Sequence, residues 1–218
     1  MIDMRRFIFL FTFIIIFHII FGCSDTLLDR LSDPRDDGSL EVWSGRWIIF
    51  DERLNTNGDL MLGPLDDNQL IEEVEDSYKG DKALKYKWNG EPVKGEDFCY
   101  MSFIAATSFE TYDDTPGKNL TLGGYTRIRF YAKGRLSENT KVEFKGPKKV
   151  NETADTNSIK ITPGEDGIPA LLDDAWQMYE IDISDSDLTE VKDYFIIAFV
   201  REGDTEGGKV FVDEIEYR

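Results

Sequence analysis

Residues 125–134 read YTRIRFYAKG, and the order of residue types in this stretch decides the fold. In an extended chain, Ile128, Phe130 and Ala132 fall on one side while Arg127, Arg129 and Tyr131 fall on the other. That alternation is the mark of a strand with one face in a core and one face turned outward. A helix would scatter the same residues around its circumference.

Working outward, the same period recurs between turn clusters. In 83–88 (ALKYKW), Leu84, Tyr86 and Trp88 share a face against Lys85 and Lys87. Residues 47–50 (WIIF) form an apolar strand ahead of the turn at 55–58 (NTNG). Residues 98–106 are almost continuously apolar and suit a strand covered on both faces. Residues 141–145, 176–183, 194–200 and 209–217 complete about eight strands, the pattern of an all-β sandwich or barrel. Stretches 66–76 and 185–193 are expected to form single helical turns and no more. Two connections, 107–122 and 146–175, are too long for hairpin turns and are expected to be functional or disordered loops.

The chain of 218 residues opens differently. Arg5 and Arg6 precede an uncharged run from Phe7 to Gly22, the form of a secretory signal segment. The run is short for a bilayer span, which needs about 20 apolar residues. Ile20-Phe21-Gly22-Cys23 resembles the lipobox of bacterial lipoproteins, with Phe21 in place of the usual small residue. The resemblance implies a diacylglyceryl thioether on Cys23, and localisation at the cell envelope, on the outer membrane or cell surface. The alternatives are an uncleaved N-terminal anchor or a plain signal peptide with a chance cysteine. Residues 1–22 would then be the signal peptide, 23–40 a lipidated tether, and 41–218 the folded domain.

Composition excludes several classes. Asp and Glu number 43 against 25 Lys and Arg, a formal charge of −18. Nucleic acid needs clustered Lys and Arg to displace counterions, so it is not an expected partner. Strongly anionic polysaccharides are disfavoured on the same ground, although Lys145, Lys148 and Lys149 form one small basic cluster. The only histidine, His18, lies in the signal segment, so the mature chain has neither Ser-His nor Cys-His machinery nor His-ligated zinc. Of the two cysteines, Cys99 sits in an apolar run and is read as a packed core residue. Carboxylate pairs for glycoside hydrolysis cannot be denied to so acidic a chain, but no motif singles one out, and no catalysis is expected.

Four segments together resemble a known family. Residues 80–86 (GDKALKY) are similar to the "Gly-x-x-Ala-Leu-x-Val" strand of galactose-binding-like carbohydrate-binding modules, and 125–134 to their central strand. Residues 176–184 (WQMYEIDIS) look like "Trp-x-x-Tyr-x-Ile-Asp-Leu-Ser", and 210–216 (VFVDEIE) like the closing "Val-Tyr-Ile-Asp-Asp-Ile". The resemblance implies a jelly-roll β-sandwich over 41–218 that binds carbohydrate without catalysis. It further implies a site on a concave sheet face or its edge loops, and a structural calcium near the first and last strands.

Sugars offer C–H faces flanked by hydroxyls, so a site wants an exposed aromatic ring beside polar partners. The candidates are Arg127, Arg129 and Tyr131 on the central strand, Phe109 and Tyr112 in the first long loop, and Trp176 after the second. Asp51, Glu52 and Asp213 are the candidate calcium ligands. The alternative is an adhesive or structural domain that holds another envelope or host protein. Gathering of Tyr131, Phe109 and Tyr112 around one slot would favour sugar; their scatter would favour protein contact.

Overall fold

The computed structural model describes residues 46–51, 54, 58–64, 67–108, 111–149, 158–161 and 175–218. Cys23, the signal segment and the tether lie outside these residues, as do Glu52 and Phe109. The described residues form twelve strands and no α-helix.

Two antiparallel sheets face each other. Sheet I contains β10 (Gln177–Asp182), β6 (Arg127–Leu136), β12 (Gly208–Tyr217), β4 (Ala83–Trp88) and β3 (Gln69–Val74), in that order. β1 (Trp47–Phe50) also pairs with β12. Sheet II contains β2 (Asp59–Gly63), β5 (Phe98–Ile104), β11 (Val191–Arg201), β7 (Thr140–Lys145) and β9 (Ser158–Ile161), and β8 (Lys148–Lys149) pairs with β11. This is the expected β-sandwich, and every one of the eight expected strands is present. The 66–76 stretch is corrected: it holds a strand, β3, because its residues pair with β4 from Gln69 opposite Trp88 to Val74 opposite Ala83. Residues 184–190 form turns and bends without helix.

Inward faces follow the alternation. Phe130, Phe144, Tyr179 and Phe195 meet across the two sheets, with Phe130 and Phe144 centroids 4.8 Å apart and Phe130 and Phe195 4.9 Å apart. Tyr86 and Trp88 pack on Phe199 at 5.0 and 6.0 Å. The Tyr86 hydroxyl donates to Gln69 Oε1 at 2.6 Å and lies 3.3 Å from Cys99 Sγ. Burial pushes the Cys99 thiol up to about 12, so it is a packed thiol as expected. Two turns approach closely where β4 ends and β12 begins. A Cβ on Gly207 would stand 2.2 Å from the Trp88 carbonyl oxygen, and its φ of +77° suits glycine.

Candidate functional site

β6 places Arg127, Arg129, Tyr131, Lys133 and Arg135 in line on the outer face of sheet I. β10 sets Met178 opposite Tyr131 and Glu180 opposite Arg129. The connection between β3 and β4 folds over this face and lays Tyr78 on Tyr131, with centroids 3.6 Å apart and planes 10° from parallel. Trp176 meets Tyr78 edge-on at 6.4 Å. The result is an aromatic ledge. Its outer ring, Tyr78, is 44 % exposed, and neighbouring Met178 is 48 % exposed.

Charged groups hold the ledge in place. Lys133 is nearly buried, with its ammonium 5.0 Å from the Trp176 ring and 5.4 Å from Phe211. The same ammonium donates to both Asp76 oxygens at 2.6 Å, tying the β3–β4 connection to β6. Arg129 donates through Nε and Nη2 to Glu180 Oε1, at 2.9 and 2.7 Å, and Arg127 reaches Glu180 Oε2 at 3.4 Å. Hydrogen bonds from Arg129, aided by both guanidinium charges, pull the Glu180 carboxyl below the usual range. Both arginines are therefore engaged with a neighbour, while the ledge presents open ring surface.

Asp213, one of the candidate calcium ligands, lies under the connection that carries Tyr78. It is fully buried, and its Oδ2 accepts the backbone N–H groups of Tyr78 and Lys79 at 2.8 and 3.1 Å. Its Oδ1 accepts the Glu214 N–H at 2.8 Å. Burial pushes its carboxyl up to about 6, against these three donors, which pull it down. Calcium needs six to eight oxygens around it. Both Asp213 oxygens accept backbone N–H groups, and among the described residues no group of three or more His, Cys, Asp or Glu is placed to hold a metal ion. Asp51 is half-buried at the end of β1, and Glu52 is outside the described residues.

Tyr112 lies elsewhere. Its hydroxyl donates to Asp193 Oδ2 at 2.6 Å, and Ser102 donates to Asp193 Oδ1 at 2.5 Å. Lys192 donates to the Tyr112 and Asp113 carbonyls at 2.6 and 3.0 Å and sits 4.8 Å from the Tyr112 ring centroid. Tyr112 packs with Tyr100 on the Met61, Ile104 and Ala106 cluster, on the outer face of sheet II. Its phenol is raised by burial and by the Asp193 charge. Tyr112 thus pins a loop, and it stands on the opposite side of the sandwich from Tyr131 and Trp176. Tyr131 and Tyr112 are scattered rather than gathered around one slot, the arrangement expected to favour protein contact, and Phe109 lies outside the described residues. Tyr78 was missed from the sequence. Its signal was an aromatic residue in a polar turn (EDSYKGDK), where no core is at hand to bury it.

No family model matches the chain, and no curated protein matches it. Solved structures do match. A family 30 carbohydrate-binding module aligns over 79 % of this chain and 98 % of its own, at 14 % identity and a TM-score of 0.50. A family 11 carbohydrate-binding module from Clostridium thermocellum, in complex with a beta-1,3-1,4-mixed-linked tetrasaccharide, aligns over 79 % of this chain and 94 % of its own, at 16 % identity and a TM-score of 0.45. The K2 cleaved adhesin domain of Lys-gingipain covers 79 % of this chain and 99 % of its own, at 12 % identity and a TM-score of 0.44. At these identities the likeness is one of fold: the chain shares the β-sandwich architecture of the family 30 module.

Proposed function

We propose that this protein is a membrane-anchored surface lipoprotein whose β-sandwich binds carbohydrate without catalysis. The observation that carries the reading is the ledge of Tyr78, Tyr131 and Trp176. An open aromatic face matches the apolar C–H face of a pyranose. Tyr78 is held from below by Tyr131 and from behind by Asp213, so little ordering cost remains for the ligand to meet. The family 30 module lends the fold, which is compatible with sugar binding and does not by itself establish it.

The test is a glycan array probed with the full chain in nonionic detergent, beside Tyr78→Ala and Tyr131→Ala. Saturable binding to one glycan class, weakened about tenfold by either substitution, is the expected result. The array is repeated with calcium, for which Asp51, Glu52 and Asp213 are the proposed ligands. Silence from a folded sample would sink the reading. The separation of Tyr112 from Tyr131 would then favour the adhesive alternative, a domain that holds another protein.

A further inference from the structure

Met178 borders the ledge on its β10 side. It stands opposite Tyr131 on the outer face of sheet I and follows Trp176 by two residues, on the same side of the extended chain. Large apolar side chains lie exposed at five described positions, and two of these, Tyr78 and Met178, border the same residue, Tyr131. Leu70, Phe98 and Leu122 are dispersed over β3, β5 and the turn ahead of β6. The charged side chains around the ledge are committed to one another. Lys133 binds Asp76, Arg129 and Arg127 bind Glu180, and Lys79 reaches Glu214 at 3.3 Å. Each would have to share or give up a charged partner to take a sugar hydroxyl. The Tyr78 face, the Trp176 ring and the Met178 thioether need no such exchange, and all three surfaces are apolar.

We propose that the sugar on this ledge bears a methyl group, as a 6-deoxy or acetylated sugar does, and that Met178 selects it. This inference rests on the glycan-binding reading above and adds the class of sugar. The pyranose ring packs at the Tyr78–Trp176 corner, and its methyl group points along β10 to Met178, roughly 7 Å from Trp176 at two residues' spacing. A hydroxyl pressed against the thioether loses its water and gains no hydrogen bond. A methyl group at the same place is taken out of water to advantage. The thioether is flexible and polarisable, so it closes on the methyl without disturbing the rings beside it. An apolar contact of this kind cannot reject an added hydroxyl outright, so the preference is graded.

The experiment titrates the full chain in nonionic detergent with three matched pairs of neutral glycans. They are an oligosaccharide carrying L-fucose against the one carrying L-galactose, an O-acetylated mannan against the same mannan deacetylated with alkali, and N-acetylchitohexaose against cellohexaose. Wild type is compared with Met178→Gln and with Tyr78→Ala, with folding checked by circular dichroism. In at least one pair the methyl-bearing member should bind about fourfold tighter, the effect of burying one methyl group. Met178→Gln should erase that difference, and Tyr78→Ala should weaken both members. The three pairs tell a deoxy, an O-acetyl and an N-acetyl group apart. Equal affinity within every pair, or a preference that outlives Met178→Gln, would overturn this inference and leave glycan binding standing. Silence toward all six beside binding of a glycan without methyl groups on the array would do the same. No glycan bound at all, here or on the array, would overturn the glycan-binding reading and this inference with it.

Discussion

The resemblance made Asp213 a candidate calcium ligand, and the sequence offers no means of seeing which backbone donors reach it. In the folded chain those donors are the N–H groups of Tyr78, Lys79 and Glu214. Its carboxyl, ordinarily near about 3.9, is raised to about 6 by burial. The folded state therefore holds this proton more tightly than the unfolded chain does. Its contribution to stability is full below pH 4 and is lost as pH rises through about 6. Carbon-detected NMR of the aspartate carboxyls should find one titrating near pH 6, with the Tyr78 and Lys79 amides shifting at the same midpoint. A midpoint in the ordinary range would mean that the three N–H donors outweigh burial. Arg127, Arg129 and Tyr131 were legible as one outward set because alternation marked them, and Trp176 stood apart as a candidate at the end of a long loop. Tyr78 was not legible, since its place depends on how a polar turn folds back across a sheet.

At the scale of elements, strands with strong alternation or unbroken apolar runs were readable, and short ones were not. β3 reads QLIEEV, and its adjacent Glu72 and Glu73 blur the period of two. Its strand character comes from pairing with β4, where Lys85 meets Glu72, while Lys82, just before β4, meets Glu73. β2, β8 and β9 have five, two and four residues, too few for a period to declare itself. The expectation that β5 is covered on both faces holds, and the outer cover is the connection bearing Tyr112. That connection is anchored by Asp193 and Lys192, both nearly buried. Tyr112→Phe removes a donor from the Asp193 carboxylate and should cost about 1–3 kcal/mol. Hydrogen exchange should quicken at the Ala105 and Lys118 amides, which donate to Lys192 and Val191 on β11. Unchanged exchange there would show that the Lys192 bonds and the apolar contacts hold the loop without the phenol hydroxyl.

For the whole molecule, the proposed anchor has a direct test. Cys23→Ser should abolish incorporation of labelled fatty acid and move the protein from the membrane fraction to the soluble one. Continued membrane association would point to an uncleaved apolar segment instead. The sandwich itself carries a consequence for the order of events in its making. β12, the last of the described strands, lies in the middle of sheet I and pairs with β1, β4 and β6, all of which precede it. A chain emerging N-terminus first can bring β4 and β6 near each other only across a gap one strand wide, with unpaired edges on both sides. Closure waits for residues 208–217. Until they arrive, the nascent domain is an open substrate for proteases and chaperones, and an interruption anywhere upstream of Gly208 leaves a chain for which half of the sandwich has no centre.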